Sequence, residues 1–158
     1  LINYFNDSEG HNTISIDGKD QMKKGNRFIW NYWIKEAKAN LVELQNTFVF
    51  TGKIKGFKHL GPDIYHNRIV TKSKGLNEWN VQDIISGINN KTSFQFWHFS
   101  NEVFDKLSIT SVDKNNKLLK PVIEEKWYSS YYGVKEKSIR LSFNTNTNIF
   151  NTKIIYKG

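Results

Sequence analysis

The 158-residue chain contains no cysteine. Disulfide frameworks, thiolate zinc sites and cysteine nucleophiles are therefore excluded, while the cellular compartment stays open. There are only two prolines, so few positions break a strand. Arginine is limited to Arg27, Arg68 and Arg140, and the remaining basic residues are lysines. No apolar run approaches the ~18 residues of a spanning helix, so no membrane span is expected. No basic stretch followed by an apolar one marks the start as a leader. The chain opens at Leu1, in the middle of an apolar-polar pattern, and reads as a processed or cloned fragment. The sequence also lacks GxSxG, a phosphate loop, GxGxxG, HxH and HExxH. Chemistry confined to this chain is not expected.

Aromatic residues are plentiful: 5 Trp, 7 Tyr and 11 Phe. Each buries a large area, which offsets a hydrophobic content of only 38%. A mass of 18.5 kDa suits one domain with one core, and residues 1–158 are read as a single domain. Lys+Arg number 23 against 15 Asp+Glu, a formal net charge of +8. That balance favours acidic partners, among which charge alone does not choose. A scattered, solubilising lysine surface is the plainer reading.

Period-2 alternation dominates, the mark of half-buried strands. In 12–17, Ile14 and Ile16 alternate with Thr13, Ser15 and Asp17. In 93–99, Phe94, Phe96 and His98 alternate with Gln95, Trp97 and Phe99. Further strands are expected over 28–34, 41–50, 63–71, 76–88, 107–113, 118–125, 126–132, 138–143 and 149–156. Residues 34–44 carry helix formers but suit a strand-turn-strand equally well. Asp113 to Lys117 reads as a hairpin turn. These signals predict an all-β chain, an antiparallel β-sandwich of roughly ten or more strands.

His11 stands directly before a strand. A neutral imidazole there is a good zinc ligand, and Asn12 and Thr13 could orient it. A turn histidine bonded to backbone is the plainer alternative. His66 and Arg68 form a candidate saccharide-facing pair. Trp33 and Trp127 are candidate stacking platforms, whereas Trp79 and Trp97 lie on alternating strands and are expected in the core. Glu124 and Glu125 are adjacent on a strand and face opposite ways.

The segment His11 to Gln21 (HNTISIDGKDQ) resembles the "HNT-V-x-V/I-D-G-x-D-Q" segment of the heparinase II/III-like polysaccharide lyases. The order of later segments is similar too. Residues 65–70 (YHNRIV), 79–87 (WNVQDIISG), 96–99 (FWHF) and 128–133 (YSSYYG) resemble successive family motifs. The resemblance implies an N-terminal α/α toroid followed by antiparallel β-sheets, with this chain as the C-terminal sandwich part. It implies cleavage of uronic-acid-containing polysaccharide by β-elimination, through general acid–base catalysis and stabilisation of an enolate-like state. The catalytic tyrosine and histidine would lie outside this chain, which is expected to be inactive alone. Of the family's functional positions only His11 is matched, as the third metal ligand of zinc-containing relatives. Zinc is thus expected in the intact parent and no cofactor in this fragment. The implied partners are acidic polysaccharide and the toroid of the same protein, in a periplasmic or secreted parent. A non-catalytic binding module for acidic polysaccharide is the alternative. Nucleic acid is not expected, since no RNP-like, KH or zinc-finger pattern occurs.

Overall fold

Side-chain alternation decides which face of each strand is buried, and the register makes those faces meet. The computed structural model describes residues 2–158 apart from Phe28, Ser130 and Tyr132. A short helix α1 (Ile2–Asn6) and a 3-10 turn (Ser8–Gly10) precede twelve strands among the described residues. These are β1 (Ile14–Ile16), β2 (Lys23–Lys24), β3 (Trp30–Asn31), β4 (Glu36–Glu43), β5 (Thr47–Lys55), β6 (Tyr65–Ser73), β7 (Glu78–Ser86), β8 (Ser93–Phe99), β9 (Leu107–Val112), β10 (Val122–Tyr128), β11 (Glu136–Thr145) and β12 (Ile149–Tyr156). Helix α2 (Asn101–Phe104) lies between β8 and β9, its first turn capped by the Ser100 hydroxyl.

The strands form a four-stranded sheet, β1-β8-β11-β10, and a six-stranded sheet, β4-β5-β6-β7-β12-β9. β2 and β3 form a separate small ribbon. All pairs are antiparallel. The expected antiparallel β-sandwich is what the chain adopts. Ile14, Ile16, Trp97, Leu141 and Phe143 of the smaller sheet pack on Val81, Ile85, Phe150 and Ile154 of the larger. The isoleucines of β1 face this core, as their alternation predicted. Trp97 is buried in it and Trp79 packs against it.

Three expectations are corrected. The strand over 28–34 shrinks to Trp30–Asn31; its Phe28 lies outside the described residues. The strand over 41–50 is a hairpin: β4 and β5 meet through residues 44–46, closed by Leu44 N–H donating to the Thr47 carbonyl at 2.8 Å. The helix formers of 34–44 thereby lie in β4, where pairing with β5 overrides propensity. The strands over 118–125 and 126–132 merge into β10, which begins directly after Pro121 and sits at a sheet edge, where proline is tolerated. Ser130 and Tyr132 of the YSSYYG motif lie outside the described residues. The Asp113 turn does close a short hairpin: Val112 bridges Leu118 antiparallel, and Leu119 N–H donates to the Ser111 carbonyl at 2.9 Å. Asp113 Oδ1 accepts from Asn115 N–H at 2.8 Å and Lys117 N–H at 3.0 Å, and the chain then passes from β9 to the other sheet.

Phe143 is 1% exposed and Leu41 is 66% exposed. Phe143→Ala is expected to cost about 3–5 kcal/mol in urea unfolding, through lost transfer energy and a cavity. Leu41→Ala in the same chain is expected to stay within about 0.5 kcal/mol.

Candidate functional site

Most of the polar residues between His11 and Gln21 find partners, several of which pin this segment to the sandwich. Asn12 Oδ1 accepts from His98 N–H at 2.7 Å, and the Asn12 carbonyl accepts from Arg68 Nη1 at 2.5 Å. Gln21 Nε2 donates to Thr13 Oγ1 at 2.8 Å, and Asp20 Oδ1 accepts from Ser8 N–H at 2.6 Å. Asp17, at φ 50°, and Gly18, at φ 65°, make the tight turn after β1. There Asp17 Oδ1 accepts from Thr92 N–H at 2.8 Å and Oδ2 pairs with Lys91 at 3.1 Å. These bonds, Thr92 first, hold the Asp17 carboxyl below the usual carboxylate range.

His11 is exposed, and its Nε2 donates to the Phe5 carbonyl at 3.1 Å. It lines a pocket of about 460 Å³ together with Asn12, His98, Ser100, Tyr128 and Ser138. The pocket lies beside the outer face of the four-stranded sheet, which the N-terminal turn partly covers. On that face Arg140 Nη1 donates to Glu9 at 2.7 Å and Nη2 to Glu124 at 2.5 Å, with the guanidinium 5.2 Å above the Phe96 ring. His98 Nε2 donates to the Glu9 carbonyl at 2.8 Å, and Nδ1 faces the Tyr4 hydroxyl at 3.5 Å. Burial pushes the His98 pKa down, against the Glu9 carbonyl, and the Arg140 charge adds to the decrease. A neutral imidazole with its proton on Nε2 fits both partners. Both His98 nitrogens are therefore engaged, so His98 offers hydrogen bonding rather than a free base.

His66 and Arg68 point between the sheets. Asp83, 0% exposed, accepts from His66 Nε2 at 2.7 Å, Arg68 Nε at 2.7 Å, Arg68 Nη2 at 2.8 Å and Gln95 Nε2 at 2.6 Å. Gln95 Oε1 in turn accepts from the Thr152 hydroxyl at 2.7 Å. Thr152 has one hydroxyl proton, so its 2.9 Å contact with Ser111 Oγ takes the Ser111 proton. Arg68 also stacks 5.1 Å over the Trp97 ring. Burial alone would raise the Asp83 carboxyl; the His66 and Arg68 hydrogen bonds and the Arg68 charge outweigh it and hold the pKa far below the usual range. Thus His66 and Arg68 commit their polar atoms to Asp83 and Asn12. Asp83 and Gln95 were not singled out from sequence as site residues. The available signal was parity: Asp83 shares the alternating face of Trp79, Val81 and Ile85, where a charge demands partners.

The two candidate tryptophans stand apart. Trp33 is 62% exposed beyond β3. Trp127 is half-buried on β10, with Lys135 Nζ 3.9 Å and Lys137 Nζ 5.4 Å from its ring centroid. They do not join His11 in its pocket.

Residues 2–157 match the family described as heparinase II/III-like, C-terminal. The chain belongs to the heparinase II/III-like family. No curated relative matches it. The fold is similar to a solved heparinase III gene product with methylated lysines, at TM-score 0.68 and 17% identity over 99% of this chain. A second structure under the heparinase III name gives TM-score 0.65 and 16% identity over 97% of this chain. The chain spans 25% of the length of either.

Zinc can be tested against this heparinase II/III-like domain's own donors. Among the described residues no group of three or more His, Cys, Asp or Glu is placed to hold a metal ion. His11 already donates from Nε2. The described residues do not make a zinc site by themselves, and any site that includes His11 requires ligands from outside them.

Removing the Asp83 carboxylate leaves buried donors on His66, Arg68 and Gln95 unpaired. Asp83→Ala is expected to destabilise by about 3–5 kcal/mol in urea unfolding. The folded pKa of Asp83 is depressed, so its contribution is present above the unfolded value. It is lost as pH falls below about 4 toward the folded pKa. The urea midpoint should therefore drop on acidification from about pH 4, with a shallower acid slope in Asp83→Asn.

Proposed function

We propose that the chain is the C-terminal sandwich part of a polysaccharide lyase that cleaves uronic-acid-containing polysaccharide by β-elimination, and that it is silent by itself. The family match over residues 2–157 carries this reading. Elimination needs a base at the carbon beside the carboxylate, an acid at the leaving oxygen and neutralisation of the carboxylate. The pocket beside His11 supports a supporting role in that chemistry. Its half-buried His98 has both nitrogens engaged, and on this reading the proton-transfer groups belong to the toroid of the parent. This domain then offers hydrogen-bonding groups along one wall of the substrate cleft. Arg68 and His66 serve it at one remove: Arg68, fixed by Asp83, holds the Asn12 carbonyl next to the pocket.

Zinc, as a parent cofactor, would take His11 as one ligand and the others from the toroid side. Acidic polysaccharide accords with the net charge of +8. A periplasmic or secreted parent accords with a polymeric substrate.

The isolated chain is expected to raise no ultraviolet absorbance of unsaturated uronate from heparin or alginate, whereas the parent polypeptide does on its substrate. Activity in the isolated chain, or none in the parent on any uronic-acid polymer, would refute the reading. Metal analysis of the parent is expected to find zinc that His11→Ala loses.

A second reading, binding of acidic polysaccharide without catalysis, is favoured by Trp127 beneath Lys135 and Lys137 and by exposed Trp33. It predicts salt-sensitive retention on heparin-agarose, with affinity falling about tenfold in Trp127→Ala or Trp33→Ala.

A further inference from the structure

The two sheets are of unequal width, and the excess lies at one end. The smaller sheet ends at β1, which stands over β6: Arg68 of β6 donates to the Asn12 carbonyl just before β1. β5 and β4 continue past that edge. Register fixes which of their faces looks toward the core. Ile54 pairs with His66, Gly52 with Arg68 and Phe50 with Val70, so these β5 residues share the side of the buried network. In β4, Ala37 pairs with Ile54, Ala39 with Gly52 and Leu41 with Phe50. The core-side face of the hairpin is therefore Ala37, Ala39, Leu41, Phe48, Phe50 and Ile54, with Glu43 opposite Phe48 at its turn end, where it pairs with Lys74.

That face is apolar where a two-layer sandwich puts its interior, yet it is open. Leu41 is 66% exposed, and Phe48 and Phe50 are each 37% exposed. A groove of about 410 Å³ runs along it, with Thr13 and Gln21 on the side of β1. A solvent-facing surface on an antiparallel sheet is normally polar. Here the residues alternate as for a covered face, and the cover is missing.

We infer that the core-side face of the β4–β5 hairpin is a docking face for the preceding part of the lyase polypeptide, which lays an apolar layer on it and widens the smaller sheet's side of the sandwich. The inference rests on the reading of the chain as the C-terminal part of a lyase. The solved heparinase III chains are about four times the length of this one, so such proteins hold ample polypeptide to supply the layer. A second copy pairing along the edge of β4 is disfavoured by Glu36, Lys38 and Glu43 on that strand, since charges on an edge oppose strand pairing.

Hydrogen–deuterium exchange tests this on the 158-residue chain and on the complete reading frame that encodes it. The amides of residues 37–54 are expected to exchange at least about tenfold more slowly in the longer polypeptide. The double variant Leu41→Asp/Phe50→Asp should leave the melting temperature of the 158-residue chain nearly unchanged, because both side chains are already exposed, and lower that of the longer polypeptide by several degrees. Equal exchange in the two, or a reading frame with nothing beyond these residues, overturns the inference. So does a concentration-dependent dimer of the 158-residue chain that the double variant abolishes, since the face would then belong to a second copy. A longer polypeptide that protects the hairpin but lacks eliminase activity refutes the lyase reading alone. An active one with an unprotected hairpin refutes the docking face alone.

Discussion

A carboxylate with no exposed surface sits between the two sheets, and the sandwich is arranged around it. Taking Asp83 out of water is costly unless its lone pairs are met, and donors from His66, Arg68 and Gln95 meet them. Those donors lie on β6 and β8, so the carboxylate links neighbours within the larger sheet and joins that sheet to the smaller one. Gln95 extends the chain of bonds through Thr152 on β12 to Ser111 on β9. A slip of one residue in β7 would turn Asp83 to the opposite face and strand its donors, so the network also fixes register.

Arg68 connects this interior to the surface. Two of its nitrogens hold Asp83 and the third holds the Asn12 carbonyl, while its plane stacks on Trp97. The segment from His11 to Gln21 is thus clamped by the same guanidinium that neutralises the core. From that clamp the position of His11 follows, beside a pocket shared with His98, Tyr128 and Ser138. The distinctive residues of the segment act mainly as fasteners: Asn12 to β8, Thr13 to Gln21, Asp17 to Thr92 and Asp20 to Ser8. A segment built this way presents a fixed edge to whatever lies opposite. On the proposed reading as part of a lyase, that edge holds one wall of the substrate cleft still.

Much of this was legible in the residues. The isoleucines of β1, the alternation of β8 and the placement of Trp79 and Trp97 follow from period-2 patterning, which reports burial directly. The ordered motifs pointed to the family. Strand limits were less legible around β4, β5 and β10. There helix-forming residues lie in an edge hairpin, and two expected strands merge into β10. Such outcomes depend on which partner a strand finds, and local composition does not encode that partner.

The sequence by itself determined the alternating faces, the absence of thiol chemistry, the basic charge and the family motifs, because these are properties of residue identity and spacing. Only the tertiary structure decided that His66 and Arg68 turn inward, that Asp83 is their common partner, and that His11 and His98 share one pocket. It also decided that the apolar face of the β4–β5 hairpin lies open. Each of these arises between residues distant in the chain, through register and layer packing, which exist only once the sheets have assembled.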